Sequence, residues 1–245
     1  MPEDASAYVA AIHDGGVAAA LGVATRDSAL LLAGISGPAV RAMAHDAVQW
    51  SASLRGVVAV PSLAEAYAEE WRSITGQKHV LRLHLCEYAL TADTLAPVHD
   101  GGNRLRVARV SEARLLQDWQ EAFLRELRMP EDLAKARSRT VHRIENGEMW
   151  LLVDAFDAPL AMAGHADVSR DEARIAPVYT PPELRRRGCA RALVAQLCRA
   201  LLARGKRAVY LAADRCDAGA NALYQQIGFC VEGDQYHFEF VAAAA

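Results

Sequence analysis

Helical spacing of apolar positions governs two stretches early in the chain, 38–51 and 62–75. In the second, Ser62 is an N-cap, Glu65 completes a capping box, Gly76 follows the end, and Leu63, Ala66, Tyr67 and Trp71 fall on one face. The period then changes to two. Across HVLRLHLCEYAL, Val80, Arg82, His84 and Cys86 alternate with Leu81, Leu83, Leu85 and Glu87, which predicts a strand with one strongly apolar face. Residues 95–103, LAPVHDGGN, follow neither period and hold a proline and a Gly-Gly pair, so they mark a boundary. Beyond it, 104–110 alternates as a strand, and Ser111 and Glu112 open a helix with Trp119, Phe123 and Leu127 in one stripe. Pro130 interrupts that helix, and a shorter one is predicted over 131–142.

Three strand patterns follow, at 148–154, 159–168 and 173–180, with Asp157-Ala158 and 169–172 as their turns, which predicts an antiparallel meander. A helix over 188–204 buries Ala190, Leu193, Val194, Leu197 and Leu201 and stops at Gly205. A strand at 208–213, a helix at 217–227 ended by Gly228 and two short strands complete the chain. No segment repeats at a fixed period. The fold class is α/β with a mixed sheet. Two regions are expected, an N-terminal α/β region over 1–98 and a second domain over 104–245.

Composition narrows the function by exclusion. At 245 residues, 52% hydrophobic and 23% charged, the chain has ample material for a core. A net charge of −3 argues against a protein that coats nucleic acid or an anionic membrane. No basic start leads into an apolar stretch, since Arg26 is the first basic residue after Glu3, Asp4 and Asp14. The apolar run 29–33 is too short to span a bilayer. Five cysteines without CxxC spacing read as free thiols in a reducing cytoplasm.

Against that acidic balance, one run demands a local purpose: VYTPPELRRRGCARALV, 178–194. Arg185, Arg186, Arg187 and Gly188 fall in the turn between a strand and a helix. The first N–H groups of a helix lack internal partners and carry the positive end of its dipole. Gly188 admits close backbone approach, small Cys189 and Ala190 clear the space, and the result is a seat for an anion, usually phosphate. There is no GxxxxGK[ST], and no GxGxxG follows a strand.

The run Arg185-Arg186-Arg187-Gly188-Cys189-Ala190 resembles the [Q/R]xxGx[G/A] acetyl-CoA motif of the GNAT acetyltransferases. A second segment, Asp217-Ala218-Gly219-Ala220-Asn221-Ala222-Leu223-Tyr224 ending Ile227-Gly228-Phe229, is similar to that family's NxxAxxxYxxxGF, with Asp217 in place of the usual asparagine. The resemblance covers the second half of the chain. It implies a GNAT acyl-CoA N-acyltransferase fold, with a mixed, largely antiparallel sheet and a splayed central strand pair. It also implies that amides of the arginine loop hold the CoA pyrophosphate while Val178, Tyr179 and Thr180 pair with the pantetheine arm. Asn221, one helical turn before Tyr224, stands where it can replace the missing asparagine. On the same resemblance, residues 1–98 are a degenerate GNAT-like half or a substrate cap, although no CoA motif occurs there.

Acetylating an amine requires an unprotonated amine to attack a thioester and a departing thiolate to be protonated. A thiol near pKa ~8.5 can take a proton from a phenol near ~10, and the resemblance makes Tyr224 that acid. A backbone N–H at Val178 or Thr180 is the expected oxyanion donor. His165 and Asp167 share a strand face and Glu148 and Asp154 lie nearby, but none is assigned as a general base. His79 and His84 point to opposite faces of one strand, so no metal is expected. The reading is an acetyl-CoA-dependent N-acetyltransferase for a primary amine, with acetyl-CoA and an amine acceptor as partners, no nucleic acid or membrane, and a homo-oligomer allowed. Its alternative is an inactive acyl-CoA-binding regulatory or interaction module.

Overall fold

The structure is a computed structural model that describes residues 7–25, 28–34, 37–51, 54–97, 101–127 and 133–241. The first half runs β1 (Ala7–Asp14), β2 (Val17–Thr25), β3 (Leu30–Gly34), α1 (Gly37–Trp50), β4 (Gly56–Ala59), α2 (Pro61–Thr75) and β5 (Lys78–Leu90). The second half opens with β6 (Arg104–Val107), a 3₁₀ turn (Val110–Glu112), α3 (Ala113–Glu126) and α4 (Leu133–Glu145). It continues through β7 (Met149–Val153), β8 (Pro159–Ser169), β9 (Glu172–Tyr179), a 3₁₀ turn (Pro182–Leu184), α5 (Cys189–Ala203), β10 (Ala208–Asp214), α6 (Ala218–Ile227) and β11 (Cys230–Val241). Pro130 and the first residues of the helix expected at 131–142 lie outside the described residues. The chain forms two compact units: Met1–Glu87 with Ala213–Ala218 and Glu232–Ala245, and Tyr88–Ala212 with Gly219–Val231.

In the first unit β1, β2 and β3 form an antiparallel meander, β4 joins parallel to β3, and β11 pairs antiparallel with β4. The hairpin at Gly15-Gly16, both at positive φ, was legible as a turn signal but is absent from the sequence expectation. Helices α1 and α2 bury Met43, Ala44, Leu63, Tyr67 and Trp71 together with Phe238 and Phe240, and the Trp71 and Phe240 rings stack at 5.1 Å. Helix α2 begins one residue earlier than expected. Pro61, whose missing N–H costs nothing there, takes the first turn, and Val60 is the N-cap without a side-chain bond, so Ser62 caps nothing. Ala64 and Ala68 are buried instead of Ala66. On β5 the buried positions are Cys86, Tyr88 and Leu90, and Leu81 is exposed, so the leucine face is not the covered one.

The second unit orders its strands β10-β9-β8-β7-β6, with β6 through β9 antiparallel and β10 parallel to β9. The expected meander is therefore present. All of β7 is buried, because helices cover both faces. Leu116 and Ile144 from α3 and α4 pack with Met149, Leu151, Val153, Met162 and Tyr179. Helix α5 contributes Leu193, Val194, Leu197 and Leu201. On α3 the fully buried stripe is Leu116, Gln120 and Leu124, while Trp119 and Phe123 pack at its margin. Strand β6 stops at Val107, since Glu112 accepts the Arg109 N–H at 2.7 Å and turns the chain into the 3₁₀ helix. The expected pair of terminal strands is one strand, β11, which runs through Gly233.

Element order repeats between halves although the sequence does not. Three antiparallel strands, a helix, a parallel strand, a helix and a last strand run as β1-β2-β3-α1-β4-α2-β5 and again as β7-β8-β9-α5-β10-α6-β11.

Candidate functional site

Strand β9 positions the site. It pairs with β8 as far as Tyr179, opposite Met162, yet with β10 only at Glu172, Ala173 and Arg174. Past Arg174 its second edge has no β10 partner among the described residues, so backbone donors and acceptors of 175–179 face a gap. A bulge accompanies the divergence. Ala163 pairs with Val178 and His165 with Ile175, which leaves Ala176 and Pro177 opposite Gly164 alone. Only glycine fits there, since a Cβ would lie 2.8 Å from the Ala176 oxygen and 2.7 Å from the Arg143 guanidinium.

From the carboxyl end of β9 the arginine loop leads into α5, and from the carboxyl end of parallel β10 the chain leads into α6. The two segments singled out in the sequence thus arise at the same end of two diverging strands, where α/β sheets place ligands. Gly188 is the N-cap of α5 at φ 79°, and no side chain caps that end. Its first-turn amides therefore lack a protein partner of the capping kind. At the loop's start Thr180 Oγ1 is buried and, among the described residues, has no hydrogen-bond partner.

The three arginines separate in space. Arg185 donates to the Thr180 carbonyl at 2.8 Å and makes a two-point ion pair with Glu126 on α3 at 2.7 and 2.9 Å, with its guanidinium over the Tyr179 ring. It ties the loop to α3. Arg186, at φ 63°, and Arg187 are exposed and make no ion pair with another described residue. Cys189 is buried, and burial raises its thiol pKa against the pull of Arg187, so only its main chain is presented. Ala190 is half-buried beside it. Val178 is half-buried on β9, and Tyr179 is buried against Trp119.

Tyr224, 8% exposed on α6, packs against the rings of Tyr88 at 6.1 Å and Phe229 at 5.9 Å. Fully buried Tyr88 donates its hydroxyl to Asn221 Oδ1 at 2.7 Å, which occupies that oxygen. Each unassigned base has a structural engagement. His165 is buried, its Nδ1 3.1 Å from Trp150 Nε1, and burial lowers its pKa. Asp167 pairs with Lys206 at 2.9 Å, and Asp154 Oδ1 accepts the amides of Phe156 and Ala158 in a turn. Glu148 lies 3.6 Å from Arg143.

Sequence inspection missed a cavity of about 250 Å³ lined by Gln120, Leu124, Arg139, Thr140, Arg143, Met149, Ala176 and Pro177. Its available signal was the i, i+4 spacing of Arg139 and Arg143, which a helix ending at 142 cut short.

An open strand edge thus leads through the arginine loop into a glycine-opened helix without a side-chain cap. Residues 113–229 match the model of the acetyltransferase (GNAT) family. Within the second half of the chain, residues 113–229 therefore form a GNAT acetyltransferase domain, which supports N-acetyltransferase activity. Solved structures share the fold over nearly the whole chain. A GCN5-related N-acetyltransferase from Sphaerobacter thermophilus is 21% identical, with 94% of this chain and 79% of that chain covered at a TM-score of 0.64. One from Kribbella flavida is 15% identical, with 97% and 90% covered at 0.66. A tandem GNAT protein from the clavulanic acid biosynthesis pathway is 13% identical, with 96% and 82% covered at 0.58. No curated protein matches the chain.

Proposed function

We propose that the protein transfers the acetyl group of acetyl-CoA directly to a primary amine. The observation that carries this is the divergence of β9 from β10 after Arg174, beside the α5 loop. Backbone groups of Val178, Tyr179 and Thr180 would pair with the pantetheine arm, and the orphaned Thr180 hydroxyl would gain a partner. Amides of Gly188, Cys189 and Ala190 would hold the pyrophosphate, helped by the exposed charges of Arg186 and Arg187. Arg185 fixes the loop through Glu126 and has no direct duty to phosphate. The Asn221 carboxamide oxygen already accepts the Tyr88 hydroxyl, which fixes its orientation on α6.

In the transfer, the amine nitrogen bonds to the thioester carbon as the carbon–sulfur bond breaks. The leaving sulfur takes a proton from Tyr224, the nitrogen loses one to solvent, and solvent returns one to the Tyr224 phenolate. Residues 1–98 fit a degenerate GNAT-like half. Their element order repeats that of the second half, and two residues, 35 and 36, join β3 to α1 where the arginine loop joins β9 to α5. Five free cysteines suit a reducing compartment such as the cytoplasm.

The test is thiol release from acetyl-CoA across a panel of amines, with the acetylated product identified by mass. Amine-dependent release with one acetyl added per product is the expected result. Acetyl-CoA binding without acetylation of any amine would instead identify an inactive acyl-CoA-binding module.

A further inference from the structure

One face of the sheet in the first unit is apolar and uncovered. Helices α1 and α2 pack on β1, β2 and β3 from one side, where Tyr8, Ala20, Ala24, Leu30 and Leu32 are buried with Met43 and Leu63. Alternate residues point the other way. There Val9 is 74% exposed, Leu31 59%, Leu21 51% and Val23 46%, and Ala11 and Ala33 are exposed beside them. These positions are contiguous. Strand pairing sets Val9, Val23 and Leu31 in one row across the three strands and Ala11, Leu21 and Ala33 in the next.

The second unit shows what such a face requires. Strands β7, β8 and β9 hold the same place in the repeated order of elements. Helix α5 lies on one side of them, and α3 and α4 lie on the other, burying Met149, Leu151, Val153 and Met162. Among the described residues the first unit has no counterpart of α3 and α4.

Charge, shape and area together select the occupant. Apart from Asp14 at the turn, β1, β2 and β3 contain no Asp, Glu, Lys or Arg. The face therefore has no charge to pair with an acidic or basic partner, and none to draw an anionic membrane surface. Its relief is self-complementary. One row carries three large side chains, and in the next Leu21 rises between two alanines. A two-fold axis running between the rows sets Val9 and Leu31 of one copy over the small Ala11 and Ala33 positions of the other, reciprocally. Strands about 4.8 Å apart and side-chain rows about 7 Å apart give the face roughly 300 Å². Two such faces supply roughly half of the 1,200 Å² or so that a small specific interface buries, and the rim must supply the rest. That area suits a reversible pair of micromolar affinity.

We propose that this face is a self-association surface, on which a second copy of the chain packs sheet to sheet across a two-fold axis. Nothing in it depends on the acetyl-CoA reading.

The experiment is sedimentation velocity of the full chain from about 1 to 200 µM. Wild type is compared with Leu21→Lys, Leu31→Lys and Val168→Lys, the last placing the same charge on an exposed valine of β8. Urea midpoints at the lowest concentration check that each variant folds. Val9→Lys, at the most exposed position of the face, replaces either leucine variant whose midpoint falls. The expected result is a wild type that approaches twice the monomer mass as concentration rises. Each lysine on the face raises the dimer Kd at least about tenfold, and Val168→Lys behaves as wild type. A wild type that stays monomeric throughout overturns the proposal. So does a dimer that persists in the variants of the face, which would place the contact elsewhere, or one that Val168→Lys weakens equally.

Discussion

Tyr224 and Gly164 concentrate the account at the scale of single residues. Tyr224→Phe keeps the ring that packs on Tyr88 and Phe229 and removes only the hydroxyl. If that hydroxyl protonates the leaving thiolate, kcat falls by roughly 10²-fold or more while acetyl-CoA affinity holds; unchanged kcat in steady-state assays would remove it from the mechanism. Gly164→Ala forces a Cβ onto the Ala176 carbonyl and the Arg143 guanidinium, 2.8 and 2.7 Å away. It is expected to cost about 1–3 kcal/mol in urea unfolding. His165 is buried and His237 half-buried, and desolvation lowers both pKa values. The unfolded chain therefore binds more protons than the folded one just below the ordinary histidine pKa. Stability is full above that pKa and declines as pH falls through it toward the folded values, which urea midpoints at successive pH values would show. Residue roles were only partly legible beforehand. Nothing in RRRG distinguishes Arg185 from its neighbours, because the partner that claims it, Glu126, lies 59 positions away.

At the level of elements, periodicity located helices and strands well where one face is apolar, as in α2 and α5. It failed where burial has another cause. Strand β5 presents its leucines at one parity and buries the other, and the short β1–β4 segments were passed over because alanine carries little periodic signal. Capping was misplaced at α2 because a proline at the first turn makes a Ser62 cap unnecessary. The cavity was missed for a related reason, since Arg143 sits near the C-terminal end of α4, where element ends are hardest to read. The start of the second half is held by a charge network that sequence spacing did not suggest. Arg106 bonds Glu112 at 2.6 and 2.9 Å and Asp157 at 2.9 Å, and Arg104 and Arg109 also reach Asp157. Hydrogen bonds from Arg106 lower the Glu112 pKa despite burial. Its contribution is thus present above the unfolded carboxylate pKa and lost as pH falls below it. Arg106→Met should cost roughly 1–3 kcal/mol near neutral pH, and shrink toward nothing in acid; an equal cost at both pH values would mean the arginine acts through packing.

Across the whole molecule, two halves share an order of elements, and one of them carries the loop that suits CoA. That asymmetry was visible in the sequence as a motif present once; the topological repeat was not, because the halves conserve strand order without a periodic pattern of residues. The net charge of −3 also makes the local charge decisive, since acetyl-CoA is itself an anion and would be drawn only where Arg186 and Arg187 reverse the sign. The most direct measurement is calorimetric titration of acetyl-CoA into the wild type and an Arg186→Ala/Arg187→Ala variant at two salt concentrations. The account predicts one site per chain, affinity that falls as salt rises, and a variant weakened by about tenfold, or roughly 1.4 kcal/mol. Two sites per chain would contradict a degenerate first half. No binding, or binding indifferent to both salt and the two arginines, would contradict the central claim that the α5 loop seats the phosphates of CoA.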